Sequence, residues 1–121
     1  MNKYYPHLFE PLQIGRTTFR NRIFAAPTMM CDMDASGYPT DNMIAYYAEK
    51  ARGGAAVVTV GDTPVDREHA ATNTNSFNVS RASQHFLSEL ALAIQAHGAK
   101  ASLELNHGGL TGVPAANGGN D

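Results

Sequence analysis

A carboxylate, an amide and an imidazole stand close together at Glu104, Asn106 and His107, followed at once by Gly108 and Gly109. Residues 103–109 read as a strand that runs straight into a polar turn. Side chains alternate along a strand, so Leu103 and Leu105 share one face while Ser102, Glu104 and Asn106 share the other. If helices cover the leucines, Glu104 points into the sheet interior or barrel mouth near the carboxyl end of its strand, where α/β folds keep their ligands. A second strand end, at Ala25-Ala26-Pro27-Thr28-Met29, offers polar backbone at the same rim. A carboxylate turned inward on an otherwise apolar strand needs a partner. A bound ligand or a basic side chain on a neighbouring strand meets that need, and acid or base work in an aldolase or isomerase barrel is a further use. His107 either orients a ligand or hydrogen-bonds across the strand ends.

Bringing these groups to one rim takes three strands. Residues 12–14 and 17–19 flank Gly15 and read as a hairpin. Residues 23–26 are expected to form a buried strand whose ladder Pro27 stops. Residues 28–40 read as loop, with Asp34, Ser36, Gly37 and Pro39 as turn formers and Thr40 or Asp41 as cap of the next helix. Asp32, Asp34 and Asp41 lack the spacing and closing glutamate of a calcium loop. In that helix Ile44, Tyr47, Ala48 and Ala51 fall on one face, and Gly53-Gly54 ends it. Residues 55–60 are continuously apolar, the mark of a strand covered on both faces. A polar connection over 61–79 has the length of a functional loop. A helix starting between Ser80 and Ser83, striped by Leu87, Leu90, Ala91 and Ile94 and stopped by Gly98, leads to the strand at 100–106. Residues 110–121 are glycine-rich and are expected to form a flexible tail.

Strands alternating with helices at this spacing predict an α/β chain with parallel pairing. A complete (β/α)8 TIM barrel takes roughly 250 residues. The 121 residues here therefore read as one domain, the hairpin plus about three βα units of an incomplete barrel. A formal net charge of −2 lacks the basic excess that nucleic acid requires. No apolar run reaches the length of a membrane span or of a signal-peptide core. Cys31 is the one cysteine, so no internal disulfide forms, and a cytoplasmic chain with no nucleic-acid or membrane partner is expected. His7, His69, His85 and His97 are scattered without ligand spacing, so no metal site is assigned. The open third strand is expected to invite self-association.

Phe9-Glu10-Pro11-Leu12, Asn21-Arg22-Ile23, Ala26-Pro27-Thr28-Met29, Gly37 with Pro39-Thr40, and Glu104-Leu105-Asn106-His107-Gly108-Gly109 follow one another over nearly the whole chain. Together they resemble the N-terminal part of the old yellow enzyme family, most nearly the branch of 2,4-dienoyl-CoA reductases, enoate reductases and bile-acid-modifying flavoproteins. The resemblance implies an FMN-binding barrel that uses NAD(P)H to reduce the activated C=C bond of an enone, enoate or enoyl-thioester, a small unsaturated carbonyl substrate. It places Ala26, Pro27, Thr28 and Met29 under the flavin ring, with Gly61 and Asp62 against the same ring. It also makes Glu104 and His107 cofactor-binding positions. Glu104 stands where many members carry a glutamine bonded to the flavin pyrimidine, and Gly109 where many carry an arginine. In that family the residues that polarise the substrate, donate the proton and cradle the FMN phosphate come from later strands. The resemblance therefore implies no catalytic residue within this segment and no activity for it alone, with a non-catalytic truncated subunit as the alternative. FAD and an iron–sulfur cluster would come only with a longer polypeptide.

Overall fold

The computed structural model describes residues 4–115. In chain order the elements are β1 (Leu12–Ile14), β2 (Thr17–Phe19), β3 (Phe24–Met29), α1 (Asp41–Arg52), β4 (Val57–Pro64), α2 (Gln84–Gln95), β5 (Lys100–Asn106) and a short 3-10 turn at Gly109–Thr111. Gly15 takes the φ of 55° that lets β1 and β2 pair as a tight hairpin. The Phe19 ring lies 5.0 Å from that of Phe24, which sets the hairpin against the amino end of β3.

The strands β3, β4 and β5 form a single parallel sheet in that order, each joined to the next through a helix. The helix α1 starts where the Thr40 hydroxyl accepts the Met43 N–H at 3.3 Å. Thr40 in turn donates to the Asp32 carboxylate at 2.9 Å, and Asp34 accepts the N–H groups of Ser36 and Tyr38. These aspartates thus serve turns and a cap. At the far end of α2 the chain turns through Gly98 at a φ of 79°, as its position after the apolar stripe predicts.

The core is one-sided. Met43, Tyr47 and Ala51 of α1, with Leu90 and Ile94 of α2, bury against Val58, Val60 and Ala99. The opposite face carries Phe24, Val57, Thr59 and Ser102, which together with Thr17 and Phe19 of the hairpin line an open cavity. This is the interior side of a partial barrel. Among the described residues, no helix is long and apolar enough to cross a membrane.

Four local expectations change. Pro27 does not stop the first strand: β3 runs through it to Met29, with a register shift between Ala25 and Thr28 that leaves the proline at an irregularity where its missing N–H is harmless. The strand read over residues 55–60 runs instead from Val57 through Gly61 and Asp62 to Pro64, again with a shift, between Val60 and Thr63. The connection after it is correspondingly shorter, and it delivers Phe77 to the core. In the glycine-rich tail, residues 110–115 are tied down, since Val113 exchanges backbone hydrogen bonds with Ala71 and the Ala115 N–H reaches the Arg67 carbonyl at 2.8 Å. Residues 116–121 lie outside the described residues. Finally, Leu103 and Leu105 lie on the helix side as expected but are 37% and 60% exposed, because β5 is an edge strand and, among the described residues, no third helix covers it.

Candidate functional site

Pro27, Gly61 and Glu104 come from three successive parallel strands and meet on the interior face near the carboxyl ends. Their proximity is tight. A Cβ built on Gly61 would sit 2.6 Å from Glu104 Oε2 and 2.8 Å from Pro27 Cβ, so only glycine lets the carboxylate and the proline ring close over β4. The alternation read from β5 holds, since Glu104 lies on the side opposite the helices. Among the described residues Glu104 makes no ion pair.

Beside this surface, Asp62 anchors the connection that follows β4. One of its oxygens accepts from the Thr72 hydroxyl and, at 3.4 Å, from the Asn73 amide, and the same amide lies 3.5 Å from Met29 Sδ. Asn75 and Asn78 stitch the connection to residues 31 and 36 through backbone carbonyls. Asp62 Oδ1, Thr63 Oγ1 and Asn106 Oδ1 are buried, yet find no hydrogen-bond partner among the described residues. Buried polar atoms are normally paired, so three orphans at the ends of β4 and β5 mark a place where a partner belongs.

Beneath the surface stands Tyr47, fully buried. Its hydroxyl lies 2.6 Å from the Thr28 carbonyl and 3.1 Å from that of Gly61. Burial pushes this phenol above its ordinary pKa, against the backbone hydrogen bonds at Met30 and Gly61 that lower it. The group is therefore a neutral donor at physiological pH.

The eight residues nominated from the sequence do not all converge. Pro27, Gly61 and Glu104 do; Thr28 joins Gly61 through Tyr47; Met29 joins Asp62 through Asn73. Ala26 is exposed on β3, its carbonyl accepting from the Thr28 hydroxyl at 3.3 Å. His107 closes a local turn, its Nδ1 accepting the Gly109 N–H at 3.0 Å, which puts the proton of the neutral ring on Nε2. Tyr47, Thr72 and Asn73 were not nominated. A tyrosine inside an apolar helical stripe was the available signal, since its hydroxyl must find a partner when buried. For the two loop residues no sequence signal existed.

A flat heterocycle fits this arrangement. The exposed proline ring offers an apolar face, Gly61 lies buried beneath it and leaves room for the Glu104 side chain, and the Glu104 carboxylate is an acceptor for a ring N–H. A phosphate does not fit here, because none of the converging residues is cationic.

The chain matches the model of the NADH:flavin oxidoreductase / NADH oxidase family over residues 7–115. It is 39% identical over 114 residues to a metal reductase of Desulforamulus reducens, covering 89% of this chain and 17% of that protein. Among solved structures, 2-naphthoyl-CoA reductase superposes with a TM-score of 0.79 at 27% identity, covering 90% of this chain and 17% of that one. The old yellow enzyme of Trypanosoma cruzi superposes with a TM-score of 0.77 at 27% identity, covering 91% of this chain and 29% of that one. The chain thus spans less than a third of the length of each.

Proposed function

The chain belongs to the NADH:flavin oxidoreductase / NADH oxidase family, and from that premise we propose that it is the N-terminal part of an FMN-dependent ene-reductase barrel, the segment that seats the flavin ring. The observation that carries this reading is the convergence of Pro27, Gly61 and Glu104 on the interior face at the carboxyl ends of three parallel strands. Bound FMN supplies the redox chemistry between NAD(P)H and an acceptor. The chain's own residues supply orientation: Pro27 forms the floor, Gly61 beneath it leaves the space that lets the floor and the carboxylate approach, and the Glu104 carboxylate accepts from the pyrimidine edge. Ala26, Thr28, Met29, Asp62 and His107 complete the rim around them. Residues outside the segment hold the phosphate and contact the substrate, and an iron–sulfur cluster would need cysteines other than Cys31.

The substrate class we assign is an activated C=C bond conjugated to a carbonyl, as in the aromatic thioester named for the naphthoyl-CoA relative. A metal reductase shares the same segment at higher identity. Relatives whose names carry such different acceptors share this segment, which supports a role for it that does not depend on the acceptor and leaves acceptor choice to later strands. A cytoplasmic location goes with the use of NAD(P)H. Taken alone, residues 1–121 associate through the unpaired edge of β5 and its exposed leucines.

Expression of the complete open reading frame tests this. The purified protein should be yellow, bleach with NADH under anaerobic conditions and recover colour on adding an enoate or enoyl-thioester. Residues 1–121 alone should bind FMN more weakly than micromolar and elute as oligomers. A folded full-length protein that takes up no FMN overturns the proposal, and submicromolar FMN binding by monomeric 1–121 overturns the division of labour within it.

A further inference from the structure

We infer that Tyr47 is a positioning residue for the flavin floor: its phenol ties the end of β3 to the middle of β4 so that Pro27, Gly61 and Glu104 hold one surface. This rests on the flavin-seating role proposed above. The argument begins with the two register shifts. The ladder between β3 and β4 is interrupted between Ala25 and Thr28, and that between β4 and β5 between Val60 and Thr63. Irregularities of this kind leave backbone groups without regular ladder partners, and a buried carbonyl must find another donor.

The phenol of Tyr47 arrives at this break from α1. It stands within hydrogen-bond distance of the carbonyls of Thr28 and Gly61, at the two rungs where Thr28 pairs with Val60 and Met29 with Gly61. One proton shared between two strands fixes their relative height. The ring that carries it is locked by the core, fully buried and edge-on to Tyr46 at 5.1 Å. Gly61 has no room to move, being overlaid by both Glu104 and Pro27. A shift of β4 by a few tenths of an ångström would therefore move the carboxylate and the floor together.

Tyr47→Phe removes the proton and keeps the ring. In the protein expressed from the complete open reading frame, the Kd for FMN should rise about tenfold, the cost of one lost buried hydrogen bond. The flavin absorption bands should shift, and backbone amides of residues 28–30 and 60–62 should exchange faster while those of β1 and β2 do not. Ile94→Val, a pure packing loss in the same core cluster, serves as control and should lower the melting temperature without moving Kd or the bands. An unchanged Kd and spectrum in Tyr47→Phe, or an equal change in Ile94→Val, overturns the inference. Should Tyr47→Phe not fold, wild-type exchange decides: amides at 28–30 and 60–62 opening at the rate of α1 support it, and unrelated rates overturn it. A wild type that takes up no FMN overturns the flavin-seating role as well, and is told apart by that.

Discussion

The two ends of the three-stranded sheet settle their polar groups in opposite ways. At the amino end, Arg20 donates to the carbonyls of Ala51, Ala55 and His97 at 2.5–2.7 Å, closing the terminus of α1 and the turn after α2 with one guanidinium. Asn21, 7% exposed, donates to the Gly54 carbonyl and accepts the Ile23 N–H. Charge-assisted bonds to helix C-terminal carbonyls are among the stronger ones available. At the carboxyl end, neutral asparagine amides hold the loops, and Asp62, Thr63 and Asn106 each keep an orphaned oxygen. A sheet that completes its bonding at one end and leaves it open at the other fits the proposed division, with stability at the first end and the cofactor seat at the second.

The largest effect that tests this contrast is at the stable end. Arg20→Ala should cost about 2–3 kcal/mol, read from the urea midpoint, because three carbonyls lose a charged donor that is itself partly open to water. The FMN affinity of the remaining folded protein should stay within twofold and its flavin potential should not move. A loss of FMN affinity without a loss of stability would invert the assignment of the two ends.

Gly61→Ala probes the other end with a smaller stability cost, about 1–3 kcal/mol from overpacking against Glu104 and Pro27. Its larger effect should be on FMN, at least tenfold in Kd by fluorescence titration. Adding Glu104→Ala should recover little of the stability, because the rigid Pro27 ring still lies 2.8 Å from the new Cβ, and none of the affinity, because the acceptor is gone.

The smallest change is expected for Glu104→Gln. Removing a negative charge beside the pyrimidine and adding an N–H donor should raise the flavin potential by about 30 mV, equivalent to about 1.4 kcal/mol in a two-electron couple. Stability should change by less than about 0.5 kcal/mol, as no ion pair is broken. Spectroelectrochemical titration beside a melting curve checks both, and an unmoved potential with a lowered melting temperature would make Glu104 structural.

Much of this was legible because it is local. Gly15 and Gly98 advertise left-handed backbone, Thr40 a helix start, and the leucine and isoleucine spacing of α2 its buried stripe. Pro27 misled because a proline ends a regular ladder but not one that is already irregular. Leu103 and Leu105 were placed on the correct face, yet alternation says nothing about whether a covering helix follows. Arg20 was unreadable: its partner His97 lies 77 residues away.

The residues by themselves determined the order of strands and helices, the face on which each side chain falls and, through their resemblance, the family. These follow from backbone φ preferences and from periods of two and 3.6, properties of a few neighbouring residues. Only the tertiary structure decided that Pro27, Gly61 and Glu104 touch, that Tyr47 bridges two strands and that three buried oxygens at one rim are left over. Those facts depend on inter-strand register, which two irregularities reset, and a slip of one residue would send each side chain of a strand to its other face.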